Sequence, residues 1–307
     1  MLTVVSYLKG IPPKNRNPEK PRVLTDFISG VNAIGDKGII SDDFNLINSN
    51  VAVIQGFVHE DGKNAPHLSF RQNILDFQKK NNGRTIIIDS NLFLYKDPTN
   101  KNNYLRYSYD GIFPNTGEYC YDNPDPKRWE QIKKNIGFDL RPWRKDGNHI
   151  LICLQRNGGW SMKGLNVVDF FKNTVNEIRK YSDRPIIVRT HPGDKKALLY
   201  SKDLVGKNIS LSANKSLEQD LKNAWASVVY NSSPSVASVI EGVPCFVLDP
   251  GYSQSADVAN LELKNIENPN MPERLPWVQK LAQCHWNNTE LANGTAWTHM
   301  RRWAVRQ

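Results

Sequence analysis

Three short stretches of this 307-residue chain carry side chains suited to gripping a phosphate: Leu154-Gln-Arg-Asn-Gly-Gly159, Arg189-Thr-His-Pro-Gly193 and Asn231-Ser-Ser-Pro-Ser235. Each follows an apolar run that reads as a β-strand, and the carboxyl ends of such strands are where α/β sheets place their ligands. A guanidinium forks across two phosphate oxygens, which gives Arg156 and Arg189 a role, with His191 beside them. The third stretch offers the hydroxyls of Ser232, Ser233 and Ser235 at a helix start, where unpaired N–H groups and the positive end of the helix dipole favour an anion. Its local signals sit close together: Ser233 as N-cap, Pro234 at the first helical position and Gly242 as a left-handed stop. The expectation is a pyrophosphate seat. The alternative is ordinary structure, in which Arg189 salt-bridges a neighbouring loop, His191 is a turn residue ordered by Pro192 and the serine turn is a plain cap. Glu241, near the end of the same short helix, faces either a ribose or water.

Those residues need a sheet behind them, and the second half of the sequence has the pattern of one. Strands are predicted at Ile150–Leu154, Pro185–Val188, Ile209–Leu211, Ala226–Tyr230 and Cys245–Leu248. Helices are predicted over Leu165–Tyr181, with Val168, Phe171, Val175 and Ile178 on one face, and over Leu217–Asn223, and helical patterns follow Pro272, Asn287 and Thr295. Strands alternating with helices imply a parallel sheet covered on both faces. The first half is less regular. A short apolar opening, Leu2–Tyr7, precedes a helix around Val23–Ile34 and a strand at Val51–Val58. Ser69 with Gln72 has the form of a capping box for a helix that runs to about Lys80, where Asn81-Asn-Gly83 stops it. The strand Arg84–Asp89 then leaves the Asp89 carboxylate at a second sheet edge. Residues 91–148 read as irregular structure with one helix near Lys127–Ile136. The expected division is an N-terminal domain of residues 1–145 and a C-terminal domain of residues 146–307, the last helix packing back on the first domain.

Composition narrows the class. With 39% hydrophobic and 23% charged residues the chain is globular. Its four cysteines are far apart, form no Cys-x-x-Cys pair and read as buried free thiols of a reducing compartment. No apolar run approaches the ~20 residues of a membrane span, so a cytoplasmic location without membrane contact is expected. A net charge of +9 suits a polyanionic partner such as nucleic acid. Basic residues crowd one Pro-rich loop (Lys9, Lys14, Arg16, Lys20, Arg22), and Arg301, Arg302 and Arg306 share the tail with Trp297 and Trp303. For the tail, an amphipathic helix with its tryptophans packed on the body is preferred to a nucleic-acid surface. The chain has no Gly-x-Gly-x-x-Gly, P-loop, Gly-x-Ser-x-Gly or His-Glu-x-x-His, which argues against hydride transfer, P-loop ATPases, serine hydrolases and zinc sites. It also lacks an Asp-x-Asp pair, which leaves fixed cations and dipoles to neutralise a diphosphate. No metal site is expected from the residues, and a divalent ion is possible but not implied.

Arg189-Thr-His-Pro-Gly193, followed by Asn231-Ser-Ser-Pro-Ser-Val-Ala-Ser-Val-Ile-Glu-Gly-Val-Pro-Cys245, resembles the donor-binding half of GT-B glycosyltransferases, including their capsule- and phage-type branches. The resemblance covers roughly residues 149 to 305. Ile88-Asp-Ser-Asn-Leu-Phe93, Tyr104-Leu-Arg-Tyr107, Leu281-Ala-Gln-Cys-His-Trp286 and Gly294-Thr-Ala-Trp-Thr-His299 look like segments of phage-encoded proteins of this kind. The resemblance implies a GT-B-like α/β fold in which two Rossmann-like domains face each other across a cleft. It implies a nucleotide-sugar co-substrate such as a UDP-sugar on the C-terminal domain, an acceptor on the N-terminal one, and no required cofactor. Phage members glycosylate hydroxymethylated bases, so double-stranded DNA is the expected acceptor and the host cytoplasm the expected place. Sugar transfer needs a base for the acceptor hydroxyl. Asp89 is the candidate, although an Asp at a strand end is as often a turn former or cap. The cluster His59-Glu60-Asp61 competes with it, and His59 and Arg106 are expected at the acceptor. The alternatives are a transferase moving a sugar or polyol phosphate onto a surface glycan, and a non-catalytic nucleic-acid-binding protein.

Overall fold

Branched apolar residues dominate the central strands, as in Ile86–Ile88 and Ile150–Ile152. In the computed structural model, residues 1–12, 19–57, 65–213 and 215–305 are described, apart from the side chains of 19–21. His59, Glu60 and Asp61, with Lys14, Arg16 and Arg306, lie outside the described residues. The first elements are β1 (Thr3–Tyr7), α1 (Glu19–Ala33), β2 (Lys37–Ser41), β3 (Val51–Gln55), α2 (Pro66–Lys80), β4 (Arg84–Asp89), β5 (Leu105–Tyr109) and α3 (Pro126–Ile136). Next come β6 (His149–Cys153), α4 (Val167–Ile178), β7 (Ile186–Arg189), α5 (Ala197–Tyr200), β8 (Ile209–Leu211), α6 (Leu217–Leu221), β9 (Ala224–Val229), α7 (Pro234–Ile240) and β10 (Cys245–Val247). The chain closes with α8 (Leu275–Ala282), β11 (His285–Trp286), α9 (Asn288–Ala292) and α10 (Thr295–Met300).

The chain divides into two units. The first comprises Met1–Asn91, Thr99–Asn135 and Gln279–Gln307, the second Leu92–Pro98 and Ile136–Val278. The six-stranded sheet of the first has the order β11-β5-β4-β3-β1-β2. Its β2, β1, β3 and β4 are parallel, while β5 runs antiparallel to β4 and to β11. One core cluster packs Val4, Val53, Ile86 and Ile88 of this sheet with Leu24 and Phe27 of α1 and with Trp297 and Met300 of α10. Trp297 is therefore a core residue and not a nucleic-acid surface. Arg301 nearby pairs with Asp36. The capping box expected at Ser69 is not used: α2 starts earlier, at Pro66, behind an Ala65 N-cap that has no side-chain bond. β5 was not expected, since residues 91–148 read as irregular.

The second unit holds a wholly parallel sheet, β10-β9-β6-β7-β8. Its β6, β9 and β10 are buried on both faces, as helices on either side require, while β7 and the edge strand β8 are only partly covered. α4 starts where the Asn166 side chain accepts from the N–H groups of Val168 and Asp169, and it buries Val167, Phe171, Val175 and Ile178. All four cysteines are buried and free. Among the described residues no helix is long and apolar enough to cross a membrane.

Candidate functional site

The strand order of the second unit sets the place. The chain runs from β6 outward through β7 to β8, then returns to β9 on the other flank of β6. The loops leaving β6 and β9 therefore diverge at a topological switch point, where such sheets open a ligand crevice. A polar lattice ties these loops together. The Asn231 N–H donates to Gln155 Oε1 at 3.2 Å, and Asn231 Nδ2 donates to the Ser161 carbonyl at 3.1 Å and to Asp249 Oδ2 at 2.8 Å. Lys163 pairs with Asp249 at 2.9 Å and lies 3.7 Å from the centre of the Tyr252 ring. Gln155, Ser161, Lys163 and Asp249 were not singled out in the sequence. An Asp closing a strand, as Asp249 closes β10, was the one available signal.

Arg156 and His191 are brought together. A Cβ on Gly193 would stand 2.6 Å from Arg156 Nη2 and 3.2 Å from His191 Cε1, so only glycine lets the guanidinium lie there. Arg156 is exposed and makes no ion pair among the described residues. His191 Nδ1 accepts the Gly193 N–H at 2.9 Å, which puts the ring proton on Nε2. Burial, and then the charge of Arg156, hold the imidazole below its usual pKa against the opposing pull of Asp194. His191 is thus a neutral N–H donor beside a free cation. Asp194 orders the loop by accepting from the Asn157 N–H, the Lys196 N–H and the Tyr200 hydroxyl.

The serine turn departs from expectation in part. Ser233 stands at the N-cap position but has φ −58° and ψ −21° and makes no side-chain cap. Capping needs an extended residue that can swing its oxygen back over the first turn, and this one is already helical. The turn closes instead through Ser235 N–H to Ser232 O and Val236 N–H to Ser233 O. Ser235 is fully buried and donates its hydroxyl to Ser232 O at 2.9 Å, with Ser253 Oγ 3.3 Å away, so it faces the fold and not a ligand. Ser232 Oγ differs from both: it is sealed from solvent and has no partner among the described residues. Pro234 and Gly242 (φ +73°) bound α7 as expected.

Two other donor-site expectations resolve into ion pairs. Arg189 Nη1 donates to Asp220 Oδ2 at 2.8 Å and to the Lys215 carbonyl, which is the salt bridge to a neighbouring loop weighed as the alternative. Glu241 faces neither ribose nor water. It is 7% exposed, and its carboxylate takes the Tyr95 hydroxyl at 3.1 Å, Lys96 at 2.8 Å and Arg141 at 3.0 Å. It also sits at the far end of α7 from the serine turn, about 10 Å along a helix of this length.

In the first unit, Asp89 and Arg106 are cross-strand partners in the β4–β5 ladder, and Asp89 Oδ2 lies 2.5 Å from Arg106 Nη2. Arg106 is 4% exposed. Burial is the largest single influence and works against its charge, but Asp89, joined by Tyr119 and Cys284, holds the guanidinium above its ordinary pKa. The candidate base is therefore half-engaged, with Oδ1 lacking a hydrogen bond among the described residues. No group of three His, Cys, Asp or Glu that could hold a metal occurs among the described residues.

No protein-family model matches the sequence, and no curated protein matches it significantly. Solved structures do. The β-Kdo 2,7 transferase of Thermosulfurimonas dismutans KpsC is similar over 95% of this chain and 99% of its own, at 14% identity and a TM-score of 0.55. The β-Kdo 2,4 transferase of the same KpsC is similar over 91% of this chain and 89% of its own, at 10% identity and a TM-score of 0.56. The fold is GT-B-like. At these identities the likeness is one of architecture, and it adds nothing to the phage DNA-modifying resemblance.

Proposed function

We propose that the protein is a glycosyltransferase whose nucleotide-sugar donor binds at the β6–β9 switch point of the second unit. The observation that carries this is that Arg156, an exposed guanidinium with no ion pair among the described residues, and the neutral ring of His191 both lie against Gly193 at that sheet edge. Breaking the bond from the anomeric carbon to the diphosphate oxygen leaves charge on the departing nucleotide, and fixed donors aimed there stabilise it. Arg156 and His191 take that part, and Arg189 acts one step back by holding the Lys215–Asp220 loop. Asp89 is proposed as the base that takes the acceptor proton as the acceptor oxygen bonds to the anomeric carbon. Thermal-shift titration with UDP, CMP, GDP and UDP-sugars tests the donor half. At a hundredfold excess over Kd a true ligand stabilises by about 2.7 kcal/mol. A flat response to every nucleotide would sink the reading, and Arg156→Ala, with binding about tenfold weaker, should roughly halve a positive one. For the acceptor, modified duplex DNA rests on the phage-type resemblance of the sequence and the net charge of +9. Incubation of hydroxymethylated duplex with nucleotide sugars tests it, and an unchanged base mass removes DNA as the acceptor.

A further inference from the structure

The carboxyl edge of the first unit's sheet holds a buried cation that nothing above employs. Arg71, in the second turn of α2, is 6% exposed. Its Nε donates to the Gly10 carbonyl at 2.7 Å and its Nη1 to the Phe57 carbonyl at 3.0 Å, so the guanidinium bridges the chain beyond β1 to the chain beyond β3. Gly56 makes this passage possible. A Cβ there would lie 2.6 Å from Nη1 and 2.7 Å from Nη2, and the residue has φ +96°. Arg71 has no ion pair among the described residues, and Nη2 has no acceptor among them. Burial depresses the pKa to about 10, with Asp89 pulling the other way, so the group stays charged at neutral pH and feels that carboxylate.

Asp89 already serves Arg106, whose own Nε is sealed and unpartnered. Among the described residues, two buried guanidiniums therefore have one carboxylate near them, a surplus of positive charge in a region of low dielectric. The first turn of α2 adds to it, for it has no acidic residue and no side-chain cap. A buried charge without a counter-ion is costly, and such a surplus is sustained where a ligand anion completes it.

We propose that Arg71, beside the Asp89–Arg106 pair, is an acceptor subsite for a carboxylate or phosphate group, so that the hydroxyl receiving the sugar belongs to an acidic sugar or a phosphorylated one. The anion would seat on Arg71 Nη2 and hold the neighbouring hydroxyl toward Asp89. The transfer step rests on the glycosyltransferase reading; the anion subsite does not.

Calorimetric titration with glucuronate, glucose 6-phosphate and glucose, in the presence of saturating UDP to occupy the donor site, separates the two claims. The wild-type chain is expected to bind one or both acidic sugars at least tenfold more tightly than glucose, the two acids telling a carboxylate subsite from a phosphate one. Arg71→Met should erase that preference, a loss of roughly 10- to 100-fold for one charge-assisted contact. Arg71→Lys keeps the charge but not both carbonyl tethers, and should retain most of the preference. If Arg71→Met does not fold, Arg71→Gln replaces it. Equal binding of all three sugars, or equal loss in the Lys and neutral variants, overturns the subsite and leaves Arg71 a tether between loops. Acid-selective binding without any response to nucleotides leaves the subsite standing and removes the transferase reading. Nucleotide binding without acid selectivity does the reverse.

Discussion

Arg156 and Arg189 follow adjacent strands of one sheet yet stand in opposite electrostatic circumstances. Arg189 neutralises Asp220, whose side chain is 1% exposed, while Arg156 has no partner among the described residues. Removing them should have opposite signatures. Arg189→Ala strands a buried carboxylate and should cost about 3 kcal/mol in urea unfolding, toward the low end for a broken buried pair because Arg189 keeps some solvent. Arg156→Ala should leave stability within about 0.5 kcal/mol of wild type and weaken nucleotide binding about tenfold. If the two variants lose stability equally, the division between scaffold and ligand arginine is wrong. Histidines set the acid limit. His285 is fully buried, and burial pushes its pKa down to about 3; His149, His191 and His299 move the same way. The unfolded chain takes up these protons near pH 6.5, so their contribution is complete above that pH and drains as pH falls toward the folded values, by up to about 1.4 kcal/mol per unit for each. Urea midpoints measured from pH 7 to 4.5 should fall, and His285→Gln should flatten the slope; an unaltered slope would mean that folded His285 takes up its proton at the same pH as the unfolded chain.

At the scale of elements, α7 shows how closely the scaffold is fitted. Gly242 ends it at φ +73°, and a Cβ there would stand 2.0 Å from the Pro142 carbonyl. The strap through Arg141 and Arg144 lies against that end, Arg141 N–H bonding Ile240 O and Arg144 N–H bonding Gly242 O. Gly242→Ala should therefore cost more than the ~1 kcal/mol of a left-handed alanine, on the order of 3 kcal/mol in thermal unfolding, as the strap is displaced. This element was legible beforehand because Pro234 and Gly242 act through their own backbones. So was β4, an unbroken β-branched run between Gly83 and Asp89. β5 was not, because Arg106 and Ser108 interrupt it with polar residues that are buried only through their neighbours. Its partner β11 lies far along the chain, and no local period announces such a pairing. The same limit hid the ion pairs of Glu241 and the reach of Arg71 to Gly10, and left the Arg189 salt bridge one of two open readings. Residue type marked these side chains as capable of holding an anion, but whether an anion was already supplied by the fold depends on contacts across tens of residues.

For the whole molecule, the decisive fact is that the chain passes between its two units four times, at residues 91–92, 98–99, 135–136 and 278–279. The final passage returns β11, α9 and α10 to the unit that contains β1. A Cβ on Gly30 of α1 would lie 1.9 Å from the Leu291 carbonyl of α9, and Trp297 Nε1 donates to Asp36 at 3.0 Å. Ending the chain at Val278 should accordingly leave α1 with an uncovered apolar face, seen as dye binding and aggregation in size-exclusion chromatography. A monomeric product with an unchanged melting profile would contradict that dependence. During synthesis the same connectivity inverts the order of completion. Every residue of the second unit has been made once Val278 is joined, whereas the unit holding the first strand still lacks three of its elements. The second unit can finish on the ribosome first, and the sheet that holds β1 must wait, partly open, until β11, α9 and α10 have been made.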